Sequence, residues 1–304
     1  MRLDGPESDN VEDRRRQGGF RGGFRGGLPG GLGGGRRGGG LAVGGLGGVA
    51  LLLLFLFLGI DPSMLLDDGS GPNPYQTQQT RQATPDEEAS RRFVAQVLGE
   101  TEQVWREQFS RVGRQYQDPT LVLYTGGTQS GCGGAQAQVG PFYCPADQKV
   151  YIDLDFMAAL QQRLGAPGDF ASAYIIAHEV GHHVQNQLGI LQLAQRMQSR
   201  SDQEDANAIQ VRVELQADCF AGLWAKRAND ARQILESGDV EEGLNAAAAV
   251  GDDRLQREAG HRVQPESFTH GSSAERVRWF RIGLERGDLV ACNTFAGLPS
   301  GGTP

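Results

Sequence analysis

Basic charge is scarce through most of this chain. Its 304 residues carry a formal net charge of −8, the first 40 contribute +3, and residues 41–304 therefore hold −11. An acidic main body lacks the basic stripes that grip a phosphate backbone, so no nucleic-acid partner is expected for it. Core-building residues are nearly absent between Gln17 and Gly40, where 14 of 24 residues are Gly and four are Arg. Such a stretch cannot bury enough apolar surface to offset its ordering entropy, and residues 1–40 are expected to form a disordered tail. Within it, Phe20-Arg21-Gly22-Gly23-Phe24-Arg25-Gly26-Gly27 is an RGG-like pair of repeats of the kind found in single-strand nucleic-acid-binding tails. The alternative of an RGG-tailed nucleic-acid-binding membrane protein rests on those two repeats. No longer internal repeat is present.

Charge is missing altogether from Leu41 to Ile60. Twenty helical residues reach roughly 30 Å, the thickness of a bilayer's hydrocarbon core. Asp61-Pro62-Ser63-Met64 offers no small-x-small cleavage site, so a retained single-pass anchor is expected rather than a signal peptide. Arg36 and Arg37 precede the segment, whereas Asp61, Asp67 and Asp68 follow it. The positive-inside rule then puts the N-terminus in the cytoplasm and everything after Ile60 in the periplasm or outside the cell. Four cysteines allow three pairings. Cys132 and Cys144 bracket a short Gly-rich loop and can pair in an oxidising compartment, with Cys219–Cys292 as a second bridge; four reduced thiols remain the alternative.

Residues 61–83, rich in Pro, Gly, Gln and Thr, read as a linker, and 84–296 as one domain followed by a flexible tail at 297–304. Thr84-Pro85-Asp86-Glu87 combines an N-cap, a proline at the first helical position and a glutamate three residues on. It predicts a helix running to about Gly113. Leu121–Tyr124 reads as a strand, and Pro141–Cys144 with Lys149–Leu154 as a hairpin. Helical periodicity returns at 155–164, about 170–188, 206–228, 240–249 and 273–286. The expected fold class is mainly α with a small β-sheet (α+β).

The chemistry concentrates in Ala173-Tyr174-Ile175-Ile176-Ala177-His178-Glu179-Val180-Gly181-His182-His183-Val184. On a helix His178 and His182, four apart, share a face and can reach one metal ion. Glu179 lies one position round, where its carboxylate can hold a water without binding the metal. Val211-Arg212-Val213-Glu214-Leu215-Gln216-Ala217-Asp218 supplies a second helical pair of acids in apolar surroundings, where carboxylates need partners. Two histidines and one carboxylate make a catalytic zinc site with an open fourth position. From spacing alone, either Glu214 or Asp218 can be the third ligand, the other orienting a histidine.

Three segments carry a resemblance: Ala177 to Asn186, Glu214 to Gly222, and Ser267-Phe268-Thr269-His270-Gly271-Ser272-Ser273-Ala274-Glu275-Arg276. Together they resemble the bacterial neutral zinc metallopeptidases, which have a Gly/Arg-rich N-terminus, one transmembrane segment and an outward zincin-like domain. The Glu-x-x-Ala-Asp element is similar to that of gluzincin peptidases. The resemblance implies Zn²⁺ held by His178, His182 and Glu214, with Asp218 supporting a ligand histidine. It implies a peptide or protein substrate, with Glu179 as general base. A developing oxyanion needs a second electrophile, for which His270 is the candidate and Tyr174 the reserve; the alternative for His270 is to cap or pack beside the helix that starts near Ser272. His183 is expected to support the site from behind or to pack, His261 to lie on the surface, and Lys149–Leu154 either to offer an edge for an extended peptide or to be plain scaffold. An intramembrane protease is excluded, because the motif helix carries Glu, three His, Gln and Asn. A metal-stabilised binding protein without catalysis is the rival from another class, and oligomeric state is not legible.

Overall fold

The computed structural model describes residues 1–15, 84–136, 140–164 and 168–296. Helix α1 (Pro85–Arg111) starts as expected: Thr84 Oγ1 accepts from Glu87 N–H at 3.2 Å and Glu87 Oε2 accepts from Thr84 N–H at 2.7 Å. A four-stranded sheet follows, built from β1 (Val11–Asp13), β2 (Thr120–Tyr124), β5 (Phe142–Cys144) and β6 (Lys149–Asp153) in the order β1-β2-β6-β5. β3 (Gly127–Ser130) and β4 (Gly133–Gln136) form a separate antiparallel hairpin. Then come α2 (Leu154–Leu164), α3 (Phe170–Leu188), α4 (Ile190–Gln198), α5 (Gln203–Arg232), α6 (Asp239–Ala249), α7 (Asp252–Glu258) and α8 (Ser273–Arg286). The chain is thus mainly helical with a small sheet.

Helix α3 lies at the centre, against α1, the sheet strands β5 and β6, α5 and α6. Trp105, Phe109, Phe170, Phe220, Trp224 and Phe280 fill the core between these elements. Helices α5 and α8 cross backbone against backbone: a Cβ on Gly222 would overlap the Phe280 carbonyl, and one on Gly283 the Cys219 carbonyl. The Cys219–Cys292 disulfide locks α5 to the turn after α8, and Cys132–Cys144 ties the β3–β4 hairpin to β5. Both bridges are the ones the loop spacing suggested.

Three expectations are corrected. Residues 1–15 do not belong to a disordered tail. β1 pairs in parallel with β2, Val11 opposite Leu121 and Asp13 opposite Leu123. Ser8 and Asn10 donate to Glu102 at 2.6 and 2.8 Å, Lys149 Nζ lies 2.7 Å from Glu12, and Arg15 donates to the Glu87 carbonyl at 2.8 Å. Fifteen residues free of the Gly-rich composition were hidden by averaging over forty. Second, Lys149–Leu154 is scaffold rather than edge: among the described residues the outer strands are β1 and β5. β6 sits between β2 and β5, and its run of buried Val150, Tyr151 and Ile152 is that of an inner strand. Third, α4 and α7 were not anticipated, because each is shorter than ten residues and neither has a side-chain cap.

The expected anchor Leu41–Ile60, the linker 61–83, residues 16–40 and the tail 297–304 lie outside the described residues. Among the described residues, no helix is long and apolar enough to cross a membrane. Residues 1–15 and 84–296 share one sheet through the pairing of β1 with β2.

Candidate metal centre

Two helices meet to make the site. Gly181 on α3 faces Ala217 on α5 so closely that a Cβ there would sit 3.2 Å from the Ala217 Cα and carbonyl oxygen. That approach brings His178 and His182 from one helix against Glu214 from the other. Glu214 Oε2 is 3.2 Å from His178 Nε2 and 3.7 Å from His182 Nε2. Donors held about 2.0–2.1 Å from one tetrahedral zinc lie about 3.3–3.4 Å apart, so the spacing fits that ion. The three donor atoms fall within 4.8 Å of one another, and the two imidazoles and carboxylate are the ligand types zinc takes.

The electrostatics also favour a cation here. Burial pulls the His178 imidazole down, but Asp218 and then Glu214 outweigh it and hold its pKa at about 9. Burial would raise Glu214, yet its facing imidazoles keep it well below the ordinary carboxylate value. Asp218 is pushed up by burial and pulled down further by Arg276. Its fully buried carboxylate accepts from His178 Nδ1 at 2.9 Å, from the Tyr174 hydroxyl, and from Arg276 Nε and Nη2 at 2.8 and 2.9 Å. Tyr174 is therefore engaged in holding Asp218.

Glu179 is buried beside His178 and lines the same cleft, and among the described residues its carboxylate takes no hydrogen bond or ion pair. The cleft encloses about 720 Å³. His270 lines it from the loop before α8, its Nδ1 3.3 Å from Asp252 Oδ1. Burial lowers the His270 pKa, but Asp252 and the charge of Glu214 raise it above the ordinary value. Asp252 Oδ2 also accepts from the backbone N–H groups of Thr269, His270 and Gly271, at 2.8, 2.6 and 3.0 Å, fixing that loop. Edge strand β5 forms another wall: Tyr143 Oη accepts from Asn186 Nδ2 at 2.9 Å and lies 3.1 Å from His183 Nδ1, so His183 packs as expected. His261 is exposed.

Sequence reading did not single out Arg276, Gln185 or Asp252. For Arg276 a signal existed: with Phe280 and Gly283 it forms an i, i+4, i+7 stripe, so an arginine occupies a core position of α8. A charge on a buried stripe needs a partner, and Asp218 is that partner. Gln185 and Asp252 carry no comparable pattern.

The chain matches the family model described as "Putative neutral zinc metallopeptidase" over residues 1–295. It is 47% identical over 292 residues to the uncharacterized protein YpfJ of Escherichia coli (strain K12), covering 95% of this chain and 96% of that one. It is 44% identical over 196 residues to the uncharacterized protein Mb2605 of Mycobacterium bovis, covering 61% and 65% of the two chains. No solved structure matches. A two-helix site that fits zinc defines the class, and the chain belongs to the neutral zinc metallopeptidase family.

Proposed function

We propose that the protein is a zinc-dependent peptidase in which His178, His182 and Glu214 hold the metal and Glu179 is the general base. The observation that carries this reading is the Glu179 carboxylate, without a partner among the described residues, beside a three-donor cluster at the wall of an open cleft. When bound, zinc would polarise the scissile carbonyl and acidify the attacking water. Glu179 takes that water's proton and returns it to the leaving amine. His270, oriented by Asp252, which also raises its pKa, donates to the developing oxyanion. Apolar side chains line the cleft, among them Phe142, Phe156, Ile175, Leu191 and Val213, and they suit an apolar substrate side chain. An extended peptide pairs with β5, an outer strand of the sheet among the described residues.

Elemental analysis tests the metal assignment. The wild type is expected to hold about one zinc per chain, and His178→Ala, His182→Ala or Glu214→Ala to hold none. Unchanged zinc in Glu214→Ala would move the third ligand elsewhere.

We further infer that residues 1–15 share the domain's compartment, outside the cytoplasm, supported by the two disulfides and the β1–β2 ladder. In intact cells, Asp9→Cys and Glu285→Cys, both on exposed positions, are expected to react equally with a membrane-impermeant maleimide. Labelling of Glu285→Cys alone would restore the crossing between them; labelling of neither would put both inside.

A further inference from the structure

The two histidines of the centre are oriented by different means. His178 leans on the charged pair of Asp218 and Arg276. Behind His182, among the described residues, stands an amide instead: its Nδ1 lies 2.9 Å from Oε1 of Gln185, three residues further along α3. Gln185 is fully buried. Its Nε2 donates to the Val213 carbonyl at 2.8 Å and to Gln216 Oε1 at 3.0 Å. Gln216 Nε2 in turn donates to the Cys292 carbonyl at 3.0 Å.

This chain of amides has one polarity. A backbone carbonyl can only accept, so the Gln185 side-chain nitrogen must face Val213 and its oxygen must face His182. The Gln216 amide, ending on the Cys292 carbonyl, is fixed the same way and agrees with that direction. An oxygen facing His182 Nδ1 requires a proton on that nitrogen. The Nε2 lone pair is then left pointing at Glu214 Oε2, 3.7 Å away, where the metal would lie. Val213 is the residue before Glu214, so the same amide also ties the second ligand to the turn that carries the third.

We propose that Gln185 is the positioning residue of the metal centre, setting the tautomer of His182 and its register to Glu214. The inference rests on the zinc reading above. Partners of this kind typically contribute about 10–100-fold to metal affinity. Gln185→Met removes both the acceptor and the donor at nearly constant length. Gln185→Glu keeps an acceptor for His182 and, protonated towards Val213, the bond to that carbonyl, losing only the one to Gln216.

Two measurements on the whole chain decide it. Ring ¹⁵N shifts of His182 in the metal-free protein, at a pH where the ring is neutral, report which nitrogen carries the proton. Competition between the protein and a chelator for zinc alone reports affinity. The wild type is expected to carry Nδ1–H; Gln185→Met to shift towards Nε2–H and bind zinc about 10–100-fold more weakly; Gln185→Glu to keep both properties. Nε2–H in the wild type overturns the proposal, as does a folded Gln185→Met that binds zinc like the wild type. Should Gln185→Met fail to fold, the wild-type tautomer and Gln185→Glu still decide, since loss of the tautomer in Gln185→Glu would count against it. Nδ1–H in a wild type that binds no zinc would instead sink the metal reading while leaving the hydrogen-bond assignment standing.

Discussion

Glu179→Gln is expected to keep its fold and its zinc and to lose peptide hydrolysis by several orders of magnitude. The metal should stay because Glu179 is not among the three clustered donors. The rate should fall because this carboxylate moves a proton twice in one turnover, and a positioned acid or base contributes about 10²–10⁴-fold in a step. Glutamine fills the same space beside His178 but cannot accept a proton. His270→Ala is expected to cost less, about 10²–10³-fold, by removing one donor to the oxyanion. Turnover of a quenched peptide library at neutral pH, with and without a chelator, measures both. Equal chelator-resistant rates in wild type and Glu179→Gln would mean that the cleavage belongs to a contaminant. Zinc binding without cleavage of any peptide by the wild type would favour a metal-stabilised binding protein.

How much of this was visible in the sequence depends on the range of the interaction. His178 and His182 are four residues apart on a strongly periodic helix, so local geometry alone put them on one face. Thr84 and Glu87 announced the start of α1 for the same reason. Glu214 and Asp218 formed a second local pair, but their division of labour needed the crossing of α3 over α5, which depends on Gly181 and Ala217 coming together across 36 residues. The Asp252 clamp on the His270 loop spans 18 residues and uses backbone N–H groups, which leave no mark in a sequence. The pairing of β1 with β2 reaches over a hundred positions, and a three-residue strand offers no alternation to read. Whether Lys149–Leu154 was edge or scaffold stayed open because a hairpin does not say which of its two strands a third will join.

The buried pair of Arg276 and Asp218 should govern stability as well as orientation. Both side chains are almost wholly enclosed, at 4% and 0% exposure, and the nearest other acceptors for the guanidinium are the Val250 carbonyl and the Tyr174 hydroxyl. Removing one partner of such a pair typically costs about 3–5 kcal/mol, because the other charge is left buried and unpaired. Arg276→Met is therefore expected to lower Tm on the order of 10 °C, given about 2–4 °C per kcal/mol for a domain of this size. Asp218→Asn should destabilise by a comparable route, leaving the guanidinium uncompensated. Arg276→Met combined with Asp218→Asn should recover part of the loss, since no unpaired charge then remains, although His178 loses its ionic partner and zinc affinity still falls. Thermal and urea denaturation of the four proteins, each with zinc and with a chelator, measures the coupling. Strictly additive losses in the double variant would mean that the two side chains do not act as a pair. An undiminished Tm in Arg276→Met would show that Tyr174 and His178 satisfy Asp218 without any help from α8.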